Sequence, residues 1–148
     1  MVFSRNTDYV SGKAPAPDSV TTYNRLSDTA GVVAAGTPTA KVLAAIFAQS
    51  PRPRQVKVFM AALPASDSWK AEHLAKAIQK DADWYAAVIA GESTDLLTFA
   101  KAIEGERRLF VTDNMTPKAA KDQNLYRTAV IVGAETGGVT AGAWAAKC

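Results

Sequence analysis

Between Thr37 and Ala146 the chain switches repeatedly from helical stripes to short apolar runs, and that alternation restricts its possible folds more than any other feature. Thr37-Pro38 opens the first helix. The threonine caps free amide groups, and proline suits the first helical position, where its missing N–H would have no partner anyway. Val42, Leu43, Ile46 and Phe47 then fall on one face. Ser50-Pro51-Arg52-Pro53 ends the helix, because a proline disfavours helical geometry in the residue before it. The β-branched and aromatic run Val56 to Ala61 reads as a strand.

The cycle recurs. Ala71, Leu74, Ala75 and Ile78 predict a second helical stripe, and Trp84 to Ala90 predicts a strand buried on both faces. Ser93-Thr94-Asp95 opens a third helix with Leu96, Phe99, Ala100 and Ile103 inward and Gly105 as its stop. Leu109 to Thr112 and Ala129 to Val132 read as strands, Thr116-Pro117 repeats the cap-and-proline start, and Val139 to Ala146 begins another helix. Parallel neighbours cannot be joined by tight hairpins, so this order predicts a three-layer α/β domain: a mainly parallel sheet of about four strands with alternating helices. The single α/β domain is expected over 19–148, with Val20 to Val33 either a short helix or an added edge strand. Residues 1–18 read as an extended N-terminal arm, since Ser11 to Asp18 holds two prolines and a glycine among small residues.

Charge and cysteine usage narrow the function classes. The net charge is +3, and Arg52 with Arg54 and Arg107 with Arg108 are only pairs, without the dense stripe of a nucleic-acid binder. The one cysteine, Cys148, cannot form a disulfide within the chain. No apolar run approaches the roughly 20 residues of a membrane helix, and Met1 to Val10 lacks the core of a secretory signal, so a soluble protein is expected.

Ligands of open α/β sheets bind beyond the carboxyl ends of the strands, so those ends are where chemistry is sought. The sharpest near miss is Gly133 to Thr140. Gly133 and Gly138 have the glycine spacing of a phosphate-cradling loop and Thr140 stands at the magnesium-binding hydroxyl, but Val139 replaces the lysine. A glycine-rich turn is the plainer reading; a small nucleotide- or anion-binding domain is the alternative. Asp113 and Glu92 stand at two other strand ends, where metal chemistry would need further ligands beside them. His73, the only histidine, reads as a helical residue beside the inward stripe, and Cys148 as a poorly held terminal thiol. Trp84 is expected in the core; for Trp69 and Trp144, which start or occupy helices, an exposed interface anchor is one reading and core packing the commoner one. The expectation is therefore no enzyme: no catalytic, cofactor or metal residues and no small-molecule substrate, nucleic acid or membrane partner.

Gly36 to Pro53, with its turn, its helix ending in an aromatic and its Ala-Gln-Ser-Pro, resembles a stretch of contractile bacteriophage tail sheath proteins. Asp83-Trp84-Tyr85-Ala86 and Gly105 to Asn114 are similar to two further stretches, and the likeness spans roughly 19–132. The resemblance implies a structural virion component, one domain of a tail sheath, assembled in the host cytoplasm and resident in the phage tail. Its partners would be other copies of itself in hexameric rings, and the tail tube protein. It also implies that neighbours are linked by terminal arms adding strands to one another's sheets, a use that suits Ser11 to Asp18. Sheath proteins are several times longer, so the expectation is an excised domain or a reduced relative.

Overall fold

The computed structural model describes residues 1–63, 68–93, 96–133 and 136–147. In chain order its strands are β1 (Val2–Arg5), β2 (Ser19–Tyr23), β3 (Val56–Ala61), β4 (Ala86–Ile89), β5 (Leu109–Thr112) and β6 (Thr128–Val130). Its helices are α1 (Pro38–Phe47), α2 (Ala71–Lys80), α3 (Leu97–Glu104), α4 (Pro117–Asp122) and α5 (Val139–Ala145). The sheet order is β2-β3-β1-β4-β5-β6, parallel throughout except for the β2–β3 pair. Counted among themselves, the parallel strands run 2-1-3-4-5, the order of flavodoxin-like doubly wound sheets, whose ligand crevice opens between the first and third parallel strands.

The α/β class and the alternation are as expected, but the sheet has six strands and not about four. The principal correction is at the start of the chain. Residues 2–5 belong to no arm: β1 lies in the middle of the sheet, with Phe3 opposite Phe59 on one side and Ile89 on the other. All four of its residues are buried, including Ser4 and Arg5. Ser4 Oγ is 2.8 Å from Tyr9 Oη and donates to the Phe59 carbonyl, and the Arg5 guanidinium lies 5.6 Å from the centre of the Trp69 ring. A half-polar strand is stable here because tertiary partners satisfy its polar side chains. The expected extended segment from Ser11 to Asp18 begins in a turn at the outer surface, with Gly12 at φ 72°. β2 settles the uncertain region as an antiparallel edge strand followed by a 3-10 turn at Leu26–Thr29.

Strand alternation splits the interior into two cores, one on each face of the sheet. Phe3, Phe59, Ile89 and Phe110 meet Trp69 and the stripes of α2 and α3 on one face. Val2, Val58, Val88 and Val111 meet Val42, Leu43 and Ile46 of α1 and Ala141 of α5 on the other. Phe3 stacks edge-on with Phe99 and Trp69 at centroid distances of 4.9 and 5.6 Å. Each such large side chain, fully buried, contributes roughly 1.5–3 kcal/mol. The cap-and-proline starts hold as local signals: Thr37 accepts from the Ala40 N–H and Thr116 from the Ala119 N–H. The α2 stripe is shifted, with His73, Leu74 and Ala77 buried while Ala71 and Ala75 face outward.

Candidate functional site

The crevice that such a sheet offers to ligands is filled by the chain's own groups. After β5, Asp113 Oδ1 accepts the Gly138 N–H at 2.8 Å and Oδ2 accepts the Ala141 N–H at 3.1 Å. Asn114 ties the same loop to the end of β4, accepting from the Gly137 N–H and donating to the Gly91 carbonyl. Gly91 N–H completes the tie with a 2.8 Å bond to the Gly137 carbonyl. The amide groups at the start of α5, where a bound phosphate would gain most, thus already hold a carboxylate.

Packing also accounts for the glycines whose spacing suggested a phosphate loop. A Cβ at Gly138, where φ is 86°, would lie 2.1 Å from the Ile89 carbonyl oxygen. One at Gly133 would lie 2.3 Å from Thr140 Cγ2, so Thr140 packs over that glycine. Ala134 and Glu135 of this loop lie outside the described residues, as do Thr94, Asp95 and Cys148.

A second internal carboxylate closes the start of α1, next to the first parallel strand. Asp8, 5% exposed, accepts from the Thr39 N–H at 3.1 Å and from the Thr39 hydroxyl at 2.6 Å. Beside it Pro38 fits over Gly91, 3.4 Å from where a Cβ would stand. Sequence reading missed Asp8; the available signal was an acid followed at long range by a Thr-Pro-Thr helix start.

The remaining candidates are not brought together for chemistry. Glu92 is exposed. His73 is buried in the first turn of α2: its Nδ1 accepts the Lys70 N–H at 3.0 Å and its ring stands edge-on to Trp69. Burial, the largest influence on it, pushes its pKa below the ordinary histidine value. Trp69 is fully buried, in keeping with core packing, and fills the space between Phe3 and His73. Trp84 is half-buried, its Nε1 donating to the Asp81 carbonyl, and Trp144 is 40% exposed. A cleft of about 440 Å³ between α3 and α4 is lined by Ser93, Leu96, Asn114, Thr116, Asp122 and Gln123 among others, with no cation among the described residues of its wall. Among the described residues no group of three or more His, Cys, Asp or Glu side chains could hold a metal ion.

What the fold leaves open is an edge. β6 ends the sheet. The Arg127 carbonyl and the Ile131 N–H bond inward to β5, so alternation turns the amide groups of Thr128 and Val130 outward. Among the described residues none pairs with that outer row, and Thr128 Oγ1 is buried without a partner. Thr128 to Gly133 holds no charge and no proline, the usual protections of an exposed edge. Tyr126 and Val132, beside it, are 86% and 83% exposed. Comparison with family models and with curated proteins finds no match.

Proposed function

We propose that the chain is a structural packing unit: a domain of a contractile phage tail sheath that joins neighbouring subunits in rings around the tail tube. The bare β6 edge carries this reading. An unprotected edge with exposed apolar neighbours is costly for an isolated domain and serves one whose sheet is completed by another chain. An extended arm of a neighbouring subunit, added to β6 as a seventh strand, would satisfy the outward amide groups of Thr128 and Val130 and cover Val132. The self-capped strand ends at Asp8 and Asp113 support the same reading, since a rigid body has no need of an open crevice. So do the sheath-like segments Gly36 to Pro53, Asp83 to Ala86 and Gly105 to Asn114.

Electron microscopy of the purified protein, in its longest natural context, tests the reading. Rings or tubes are expected; monodisperse monomers at all concentrations would refute it. The rival, nucleotide or anion binding at Gly133 to Thr140, requires the amide groups that Asp113 now holds. Gly138→Val is a poor probe of it, because the new side chain collides with the Ile89 carbonyl whether or not a ligand binds. Asp113→Asn is the better one. A thermal shift with magnesium nucleotide that grows when this charge is removed would favour the rival.

A further inference from the structure

The sheet has a second bare edge, at β2, on the far side from β6. The Asp18 N–H bonds to the Met60 carbonyl, so Met60 faces β2, and by alternation so do Val58 and Val56. Their partners Ser19, Thr21 and Tyr23 therefore turn their amide groups toward β3, while those of Val20 and Thr22 point outward. Among the described residues no backbone group bonds to that outward row. Ser19 to Asn24 holds no charge and no proline, so this edge is as unprotected as Thr128 to Gly133. Exposed apolar side chains stand beside both: Leu26 just after β2, Tyr126 and Val132 on either side of β6.

The two edges fit one another. β2 runs antiparallel to the rest of the sheet and β6 runs with it, so two copies in the same orientation bring these strands together antiparallel. Residues that exchange hydrogen bonds across such a pair must carry their side chains on the same face. They do: Val20 and Val130 both pack against the aromatic core beneath α2 and α3, and Thr22 and Thr128 lie two residues along on that face. The register of greatest overlap sets Val20 opposite Val130 and Thr22 opposite Thr128. It offers the Thr22 hydroxyl to Thr128 Oγ1, which is buried without a partner, and threonine pairs of this kind stabilise neighbouring strands. No like charges oppose one another, since Asp18 comes opposite Val132 and Arg127 opposite Tyr23. Ser11 to Asp18, which reads in the sequence as an arm, runs directly into β2.

The geometry points to β2 of one copy as the strand that completes β6 of the next. The inference rests on the reading of the chain as a packing unit and names the partner of its bare edge. Repeated from copy to copy, the pairing covers both edges of every enclosed subunit and joins the sheets into one. The contact is heterologous, so it builds closed rings or open filaments. Pairing of β6 with β6 would instead give a closed two-fold dimer and leave both β2 edges bare.

Sedimentation velocity on the full chain tests it, and concentration-dependent association is expected. Thr22→Pro and Thr128→Pro each remove one outward N–H and no bond within the sheet, because an edge strand accepts proline on its free side. Each should weaken self-association at least about tenfold while the circular dichroism spectrum is kept. Thr22→Lys, at an exposed position, should act in the same way without altering the backbone. In a Cys148→Ser background, Thr22→Cys and Thr128→Cys chains should form disulfide-linked dimers only when mixed. Hydrogen-bonded antiparallel neighbours stand about 5.5 Å apart at Cα, within the span of a disulfide. This pair decides the matter if either proline disturbs the fold. Dimers from Thr128→Cys alone indicate β6 on β6 and overturn the inference. Association lost in Thr128→Pro but kept in both Thr22 variants gives β6 some other strand, and overturns the inference while the packing-unit reading stands. Association indifferent to every variant overturns the inference too and leaves a packing unit joined elsewhere. A chain that stays monomeric at every concentration overturns both.

Discussion

Asp113 shows how one side chain decides between a ligand site and a structural joint. Its carboxylate stands where an anion would bind, taking two amide groups at the start of α5. Replacing it with alanine strands those donors, and a loss of about 1–2 kcal/mol is expected in urea unfolding, the usual cost of a lost cap. His73 offers a test by pH. Its folded pKa lies below the unfolded value, chiefly through burial, so the unfolded chain takes up the proton first. The contribution is fully present above about 6.5, the unfolded histidine value, and is lost as pH falls below it. His73→Gln should flatten that part of the stability profile, and the difference between the two profiles isolates the residue. A wild-type profile no steeper than that of the variant would refute the assignment.

At the scale of elements, β6 and β1 make opposite demands. β6 is short, uncharged and, among the described residues, bare on its outer side. Val132→Lys, at a position 83% exposed, should change stability by less than about 0.5 kcal/mol, as surface substitutions do. It should nonetheless suppress assembly seen by electron microscopy, since a lysine protects an edge from pairing. Unchanged assembly would remove the edge from the interface. β1 is central, and Phe3 touches Phe59, Phe99, Trp69 and Trp84. Phe3→Ala is expected to cost about 3–5 kcal/mol in chemical denaturation, because the cavity opens between several rigid rings. A cost below about 1 kcal/mol would mean that the strand is not where the two halves of the sheet meet.

For the whole molecule, the two wings of the sheet are built by different parts of the chain, with β2 and β3 on one side of β1 and β4 to β6 on the other. Removing residues 1–5 takes out the strand that joins them, and loss of the cooperative unfolding transition is expected by calorimetry. Exchanging Ser11 to Ala14 for a glycine-serine segment touches only exposed positions, so the transition should persist.

Local chemistry sufficed for the α/β class, the helix starts at Thr37 and Thr116, the α3 stripe and the strands β3 and β5. In each case the signal lies within a few residues: a cap beside a proline, a period of 3.6, a β-branched run. Tertiary contact alone decided the rest. Val2 to Arg5 is half polar and reads as an arm until Tyr9, Phe59 and Trp69 surround it. Asp113 reads as a turn residue until α5 returns to it across some twenty-five positions of chain. The bareness of β6 depends on strand order, which no period encodes. Side-chain pattern reports what a segment can bury; which groups then meet depends on how distant segments pack, and the closed strand ends and the open edge both arise there.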